Sequence, residues 1–96
     1  MDVTVLYFDG CPNWQTTAAR LTELAGEVDL RIKRVRVSTP EEAAATGFRG
    51  SPTVLVDGHD PFATGTEPTG LACRIYQTPD GPQGSPTIEQ LRQALV

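Results

Sequence analysis

Cys11 and Cys73 are the two cysteines of this chain, and their settings differ. Cys11 follows an apolar run, Val3-Thr4-Val5-Leu6-Tyr7-Phe8, and an Asp9-Gly10 turn, and it stands just before a helical pattern that opens at Pro12. A thiol there meets unpaired backbone N–H groups and the positive end of a helix macrodipole. Both favour the thiolate, the form that attacks disulfides. Asp9, two residues away, works in the opposite sense by raising a thiol pKa. Later in the chain Ser51-Pro52-Thr53 leads into a second apolar strand, with Arg49 just ahead of it as a candidate positive charge for the site.

The elements that must position these groups read as one alternating series. Residues 3–8 form a strand. Residues 12–25 form a helix with Trp14, Ala18, Leu21 and Ala25 on one face, stopped at Gly26. Residues 29–37 form a second strand, whose alternation slips between Ile32 and Val35 and predicts a bulge. Thr39 caps a short helix with Pro40 at its first position and Glu42 completing a capping box, and Gly47 ends it. Thr53 to Val56 is a third strand ending at Asp57-Gly58. Residues 58–70 are a loop, Leu71 to Tyr76 a fourth strand, and Thr78 to Gly84 a second turn-rich loop. Ser85 or Thr87 then caps a last helix that runs to the C-terminus, with Ile88, Leu91 and Leu95 on its apolar face. The order is β-α-β-α-β-β-α.

Composition bounds the alternatives. Ninety-six residues, 39% hydrophobic and 21% charged, allow one globular domain, residues 1–96, with a modest core. A net charge of −4 gives no support to wholesale nucleic-acid binding. The first apolar run is six residues long, too short for a signal peptide or a membrane span, which predicts a cytoplasmic protein. Two cysteines and one histidine are too few for a four-ligand zinc site, so no metal is expected. His59, beside Asp57 and Asp60, is read as a loop residue.

The strand–Cys11–helix unit followed by Ser51-Pro52-Thr53 and a strand resembles the thioredoxin-like and glutaredoxin-like proteins, over nearly the whole chain. The resemblance implies a four-stranded mixed sheet with helices on both faces and a cis Ser51–Pro52 bond. It places Cys11 and Pro52 at the same end of the sheet, with Cys11 as nucleophile. Ser51 and Pro52 would align an extended thiol-containing substrate, Pro12 would pre-set the helix start, and Ser85 to Thr87 would hold a carboxylate of glutathione. The departure from that pattern is Trp14, which stands where thioredoxins carry the second cysteine of Cys-x-x-Cys. The reading is therefore monothiol chemistry on small thiols or protein disulfides, with glutathione as co-substrate and no other cofactor. Trp14 either walls the site or packs the first helical turn against the loop near Arg49.

Cys73 is the candidate second thiol. Paired in a hairpin with Thr53 to Val56, it lies three residues, ~10 Å, from the site end. A disulfide needs Cα atoms within ~7 Å. It also alternates with Leu71 and Ile75, which predicts a buried core thiol. Oxidation is then expected to give a mixed disulfide at Cys11 and no internal bond. Two further readings stand beside the redox one. The first is a redox-inactive adaptor in which Cys11 is vestigial. The second comes from the Tyr-Phe-Asp-Gly-Cys-Pro segment, which looks like chains grouped with alkylmercury lyases; Asp9, Cys11 and Cys73 would supply the residue types those enzymes use. Finally, Arg31, Lys33, Arg34 and Arg36, half of the eight basic residues, crowd the second strand. On an edge strand such charges oppose aggregation.

Overall fold

The computed structural model describes residues 1–63 and 69–95, and these described residues build three helices and seven strands. Asp2–Tyr7 forms β1, the central strand of a three-stranded sheet. Arg31–Arg36 forms β2, parallel to β1 on one side, and Thr53–Val56 forms β4, antiparallel to it on the other. Between them lie α1, Asn13–Leu24; α2, Pro40–Thr46; and β3, Arg49–Ser51. The chain continues with β5, Gly70–Cys73; β6, Tyr76–Thr78; β7, Gly81–Gln83; and α3, Ile88–Ala94. Residues 64–68, in the middle of the expected 58–70 loop, lie outside the described residues, as does Val96.

The period-two alternation of β1 explains the two hydrophobic clusters. Val3 and Val5 meet Leu21 and Leu24 of α1, Leu91 of α3, and Leu95 in one cluster. Leu6 meets Val37, Ala43 of α2 and Phe48 in the other. β2 contributes to both, Ile32 to the first and Val35 to the second. That corrects the expected bulge: the register from Asp2↔Arg31 to Tyr7↔Arg36 is continuous. The slip in the pattern arises because the strand packs apolar side chains on alternate sides, not because a residue is inserted.

Capping follows the local chemistry. The Thr39 side chain accepts from the Glu42 N–H at 3.1 Å, Pro40 is the first helical residue, and Gly47 ends α2 in the left-handed conformation. Thr87, not Ser85, caps α3 and makes a full capping box with Gln90. In α1 the buried stripe is Thr17, Leu21 and Leu24; Ala25 is exposed and the helix ends one residue earlier than expected. After β4 the chain turns through Asp57 and Gly58, both at positive φ (51° and 85°), the geometry of a tight hairpin turn.

The four-stranded sheet is not formed. The sheets have three, two and two strands. The expected fourth strand, Leu71 to Tyr76, is divided. Its first part is β5, which runs parallel to β3, and Tyr76 begins β6, which pairs with β7 inside what reads as a loop. The inner side of this segment carries Arg74 and Tyr76, 6% and 4% exposed, while Ile75 is 60% exposed and Leu71 and Cys73 are exposed as well. The apolar alternation is therefore turned outward. Two buried acceptors account for it, since a buried polar group without a partner costs about 1–3 kcal/mol and a charge more. The Asp60 carboxylate takes Arg74 Nη1 at 2.7 Å, and the Pro52 carbonyl takes the Tyr76 hydroxyl.

Candidate functional site

Four short stretches converge at the end of β1: the Phe8–Asn13 segment, the Gly50–Thr53 segment, Cys73–Tyr76, and the approach to α3. Cys11 and Pro52 meet there as the antiparallel β1–β4 pairing requires, with Leu6 opposite Thr53. The Ser51–Pro52 peptide bond is cis. Cys11 is fully buried, at 0% exposure. Its Sγ lies 3.6 Å from the Ser51 carbonyl oxygen and receives the Asn13 Nδ2–H at 3.5 Å. The Ser51 hydroxyl accepts from the Phe8 N–H at 3.4 Å, which ties the Cys11 loop to β3.

Cys73 completes the arrangement. It is exposed, not a buried core thiol, and it pairs with Ser51 across the β3–β5 contact, not with the middle of β4. The Arg74 N–H donates to the same Ser51 carbonyl at 3.0 Å. Hydrogen bonding with Cys11 is the main reason the Cys73 pKa is raised, followed by partial desolvation and the repulsion of a charged Cys11. The expected separation of ~10 Å is thus overturned. It followed from pairing the wrong strands: with β5 beside β3 instead of β4, Cys73 is brought to the site end.

The other predicted residues divide. Pro12 is exposed and caps α1 in the right-handed helical conformation, its carbonyl accepting from the Gln15 N–H at 3.1 Å. Trp14 does not pack on the loop near Arg49. Its ring stacks on Tyr7 at 4.3 Å, with the Arg34 guanidinium 5.7 Å from its centroid, at the β2 edge. Arg49 directs its guanidinium to Asp60 at 3.6 Å, so its charge belongs to an ion-pair cluster with Arg74. The Ser85 hydroxyl lies 2.6 Å from that of Thr17, and the Thr87 hydroxyl accepts from the Gln90 N–H. Both are committed to internal bonds, and the Thr87 N–H donates to Gln90 Oε1. Asp9 sits on the surface, its side chain 70% exposed and paired with Arg36 at 3.2 Å.

Four residues of the site escaped the sequence reading. Asn13 is the side-chain donor to Cys11 and also lines a polar hollow of about 300 Å³ with Arg20, Gln83, Ser85 and Thr87. Asp60, Arg74 and Tyr76 form the buried polar support behind Cys73, with the Arg74 guanidinium 4.7 Å from the centre of the Tyr76 ring. The available signal was Arg74 itself, a lone charge inside an otherwise apolar run. Among the described residues no group of three or more His, Cys, Asp or Glu gathers to hold a metal, and no helix is long and apolar enough to cross a membrane. Comparison with protein-family models, with curated proteins and with solved structures finds no match.

Proposed function

We propose that this protein carries out thiol–disulfide exchange with Cys11 and Cys73 as a pair. The observation that carries the reading is an exposed thiol held beside a fully buried one, both placed by Ser51. Accessibility makes Cys73 the thiol that meets the partner. Its thiolate attacks one sulfur of a partner disulfide, and the other sulfur leaves as a thiolate and takes up a proton. The Cys11 thiolate then attacks the Cys73 sulfur, forming the Cys11–Cys73 bond and releasing the second partner thiol. The protein gives up two electrons and the partner disulfide gains them. A second dithiol, or two molecules of a small thiol such as glutathione, restores the reduced pair. The polar hollow reached through Asn13 suits a small polar thiol, and two free thiols side by side suit a reducing compartment such as the cytoplasm.

The full burial of Cys11 also favours a second reading, a redox-inactive adaptor in which neither thiol turns over. The lyase-like reading has the two adjacent thiols on its side, but its aspartate, Asp9, is engaged with Arg36 on the surface. Oxidised glutathione separates these. Under exchange, intact mass falls by two hydrogens and non-reducing peptide maps hold a Cys11–Cys73 crosslink. A stable glutathione adduct on Cys73 without that crosslink rejects the paired mechanism. A protein that stays reduced is the adaptor's outcome.

A further inference from the structure

The β2 edge is a second surface, with a chemistry of its own. β2 is the terminal strand of its sheet, with β1 on one side only. Arg31 N–H donates to Met1 O and Val37 N–H donates to Tyr7 O, so by the alternation of a parallel ladder the backbone groups of Ile32, Arg34 and Arg36 point to the open side. None of these three N–H groups meets an acceptor among the described residues. This is an unpaired strand edge, the template onto which another extended chain adds.

Its charge selects what can add. Arg31, Lys33, Arg34 and Arg36 are all exposed, and Arg31 and Lys33 have no ion-pair partner among the described residues. The whole chain carries −4, so with four positive charges on this strand the remainder carries −8. An acidic segment is thus attracted to this edge and repelled elsewhere. A second copy pairing β2 against β2 would oppose like charges across the new ladder. Beside the edge, Trp14, Ala18, Ala19, Ile32 and Arg34 line an open groove of about 560 Å³ between α1 and β2. One apolar side chain of an added strand fits there while its neighbours face the basic residues.

We infer that the open edge of β2 binds an extended acidic segment of a partner protein as an added strand. The interaction is independent of the thiol pair. Main-chain bonds to Ile32, Arg34 and Arg36 supply affinity, and the basic side chains with the Trp14 groove supply selection.

A blocked peptide of alternating Glu and Val residues, seven long, is the probe, with amide NMR and Trp14 fluorescence as readouts. Binding should protect the amides of Ile32, Arg34 and Arg36 from exchange, change Trp14 emission, and weaken with added salt. N-methylating the peptide amides that face β2 should weaken binding by about tenfold or more, while methylating the alternate set should not. Arg31→Glu with Lys33→Glu should weaken it to a similar degree. Equal tolerance of both methylation patterns would reduce the contact to charge attraction and overturn strand addition. Equal binding of a peptide with Lys in place of Glu, or tighter binding of single-stranded RNA, would overturn the acidic-peptide assignment. Self-association through β2 in the free protein would overturn it as well.

Discussion

Cys73 sits opposite Ser51 in the parallel β3–β5 pairing, and the sulfur of Cys11 lies 3.6 Å from the carbonyl of that same Ser51. One residue thus places both thiols. The same carbonyl receives the Arg74 N–H, and Arg74 is anchored through its side chain to Asp60. Movement of β5 relative to β3 would separate the pair, so the buried ion cluster and the thiol pair are mechanically linked.

Accessibility sets the first expected outcome. In the reduced native protein, Cys73 should alkylate faster than Cys11 by about tenfold or more, because Cys11 must wait for local opening. Time-quenched labelling followed by peptide mass spectrometry reads the two rates. Denaturant should equalise them. Faster labelling of Cys11 in the native protein would reverse the assigned roles.

The pH dependence follows from the raised Cys73 pKa, whose first cause is the hydrogen bond with Cys11. Native labelling of Cys73 should keep climbing above the ordinary thiol pKa of about 8.5. Cys11→Ala removes the bond and the charge, so the midpoint should fall towards the ordinary value. Linkage has a definite sign here. The folded pKa lies above the unfolded one, so this contribution to stability is present below the unfolded pKa and is lost as pH rises through the folded value. Urea midpoints of the reduced protein should decline more steeply at alkaline pH than those of Cys11→Ala.

Asp60→Asn leaves the Arg74 guanidinium buried without its carboxylate. Removing one partner of a buried pair costs about 3–5 kcal/mol. Arg49, half-exposed and 3.6 Å from Asp60, is less affected. The double change Asp60→Asn with Arg74→Met should cost less than the sum of the single changes, because no uncompensated charge remains. Denaturant unfolding of the four proteins measures the coupling; additive costs would show that the pair is energetically idle.

Gly50→Ala tests the contact between β3 and β5 directly. Gly50 has φ +102°, and an added Cβ would lie 3.0 Å from Arg74 Cβ and 3.2 Å from the Ala72 carbonyl oxygen. The strained backbone alone costs about 1–3 kcal/mol. The clash should also push β5 away, so the yield of Cys11–Cys73 crosslink under mild oxidation should drop further than stability alone explains. A variant of comparable instability placed away from the thiols, such as Leu24→Ala, which empties a fully buried position in the last turn of α1 for about 2–5 kcal/mol, is the control. Equal crosslink yields in the two would sever the link between β5 position and thiol pairing.

Local chemistry made much of this molecule legible from its sequence. The strand before Cys11, the capped helix at Thr39-Pro40, the edge position of the basic strand and the cis Ser51–Pro52 bond all agree with expectation. The first two depend on neighbours in sequence, apolar alternation for β1 and an N-cap hydroxyl for α2; the edge position and the cis bond were implied by the resemblance that the Cys11 and Ser51-Pro52-Thr53 segments carry, not by any local pattern. What the sequence by itself determined is therefore where one thiol sits and what lies beside it. The partner of that thiol was decided only in the tertiary structure. Between Leu71 and Tyr76 the apolar pattern pointed one way, and the requirements of two distant buried groups, the Asp60 carboxylate and the Pro52 carbonyl, pointed the other. Burying a charge or a carbonyl unpaired costs more than exposing Leu71 and Ile75. Arg74 and Tyr76 accordingly turned inward, β5 paired with β3, and Cys73 came out beside Cys11 instead of into the core. No local pattern contains that balance, because its two sides are set by residues 14 and 24 positions apart in the chain.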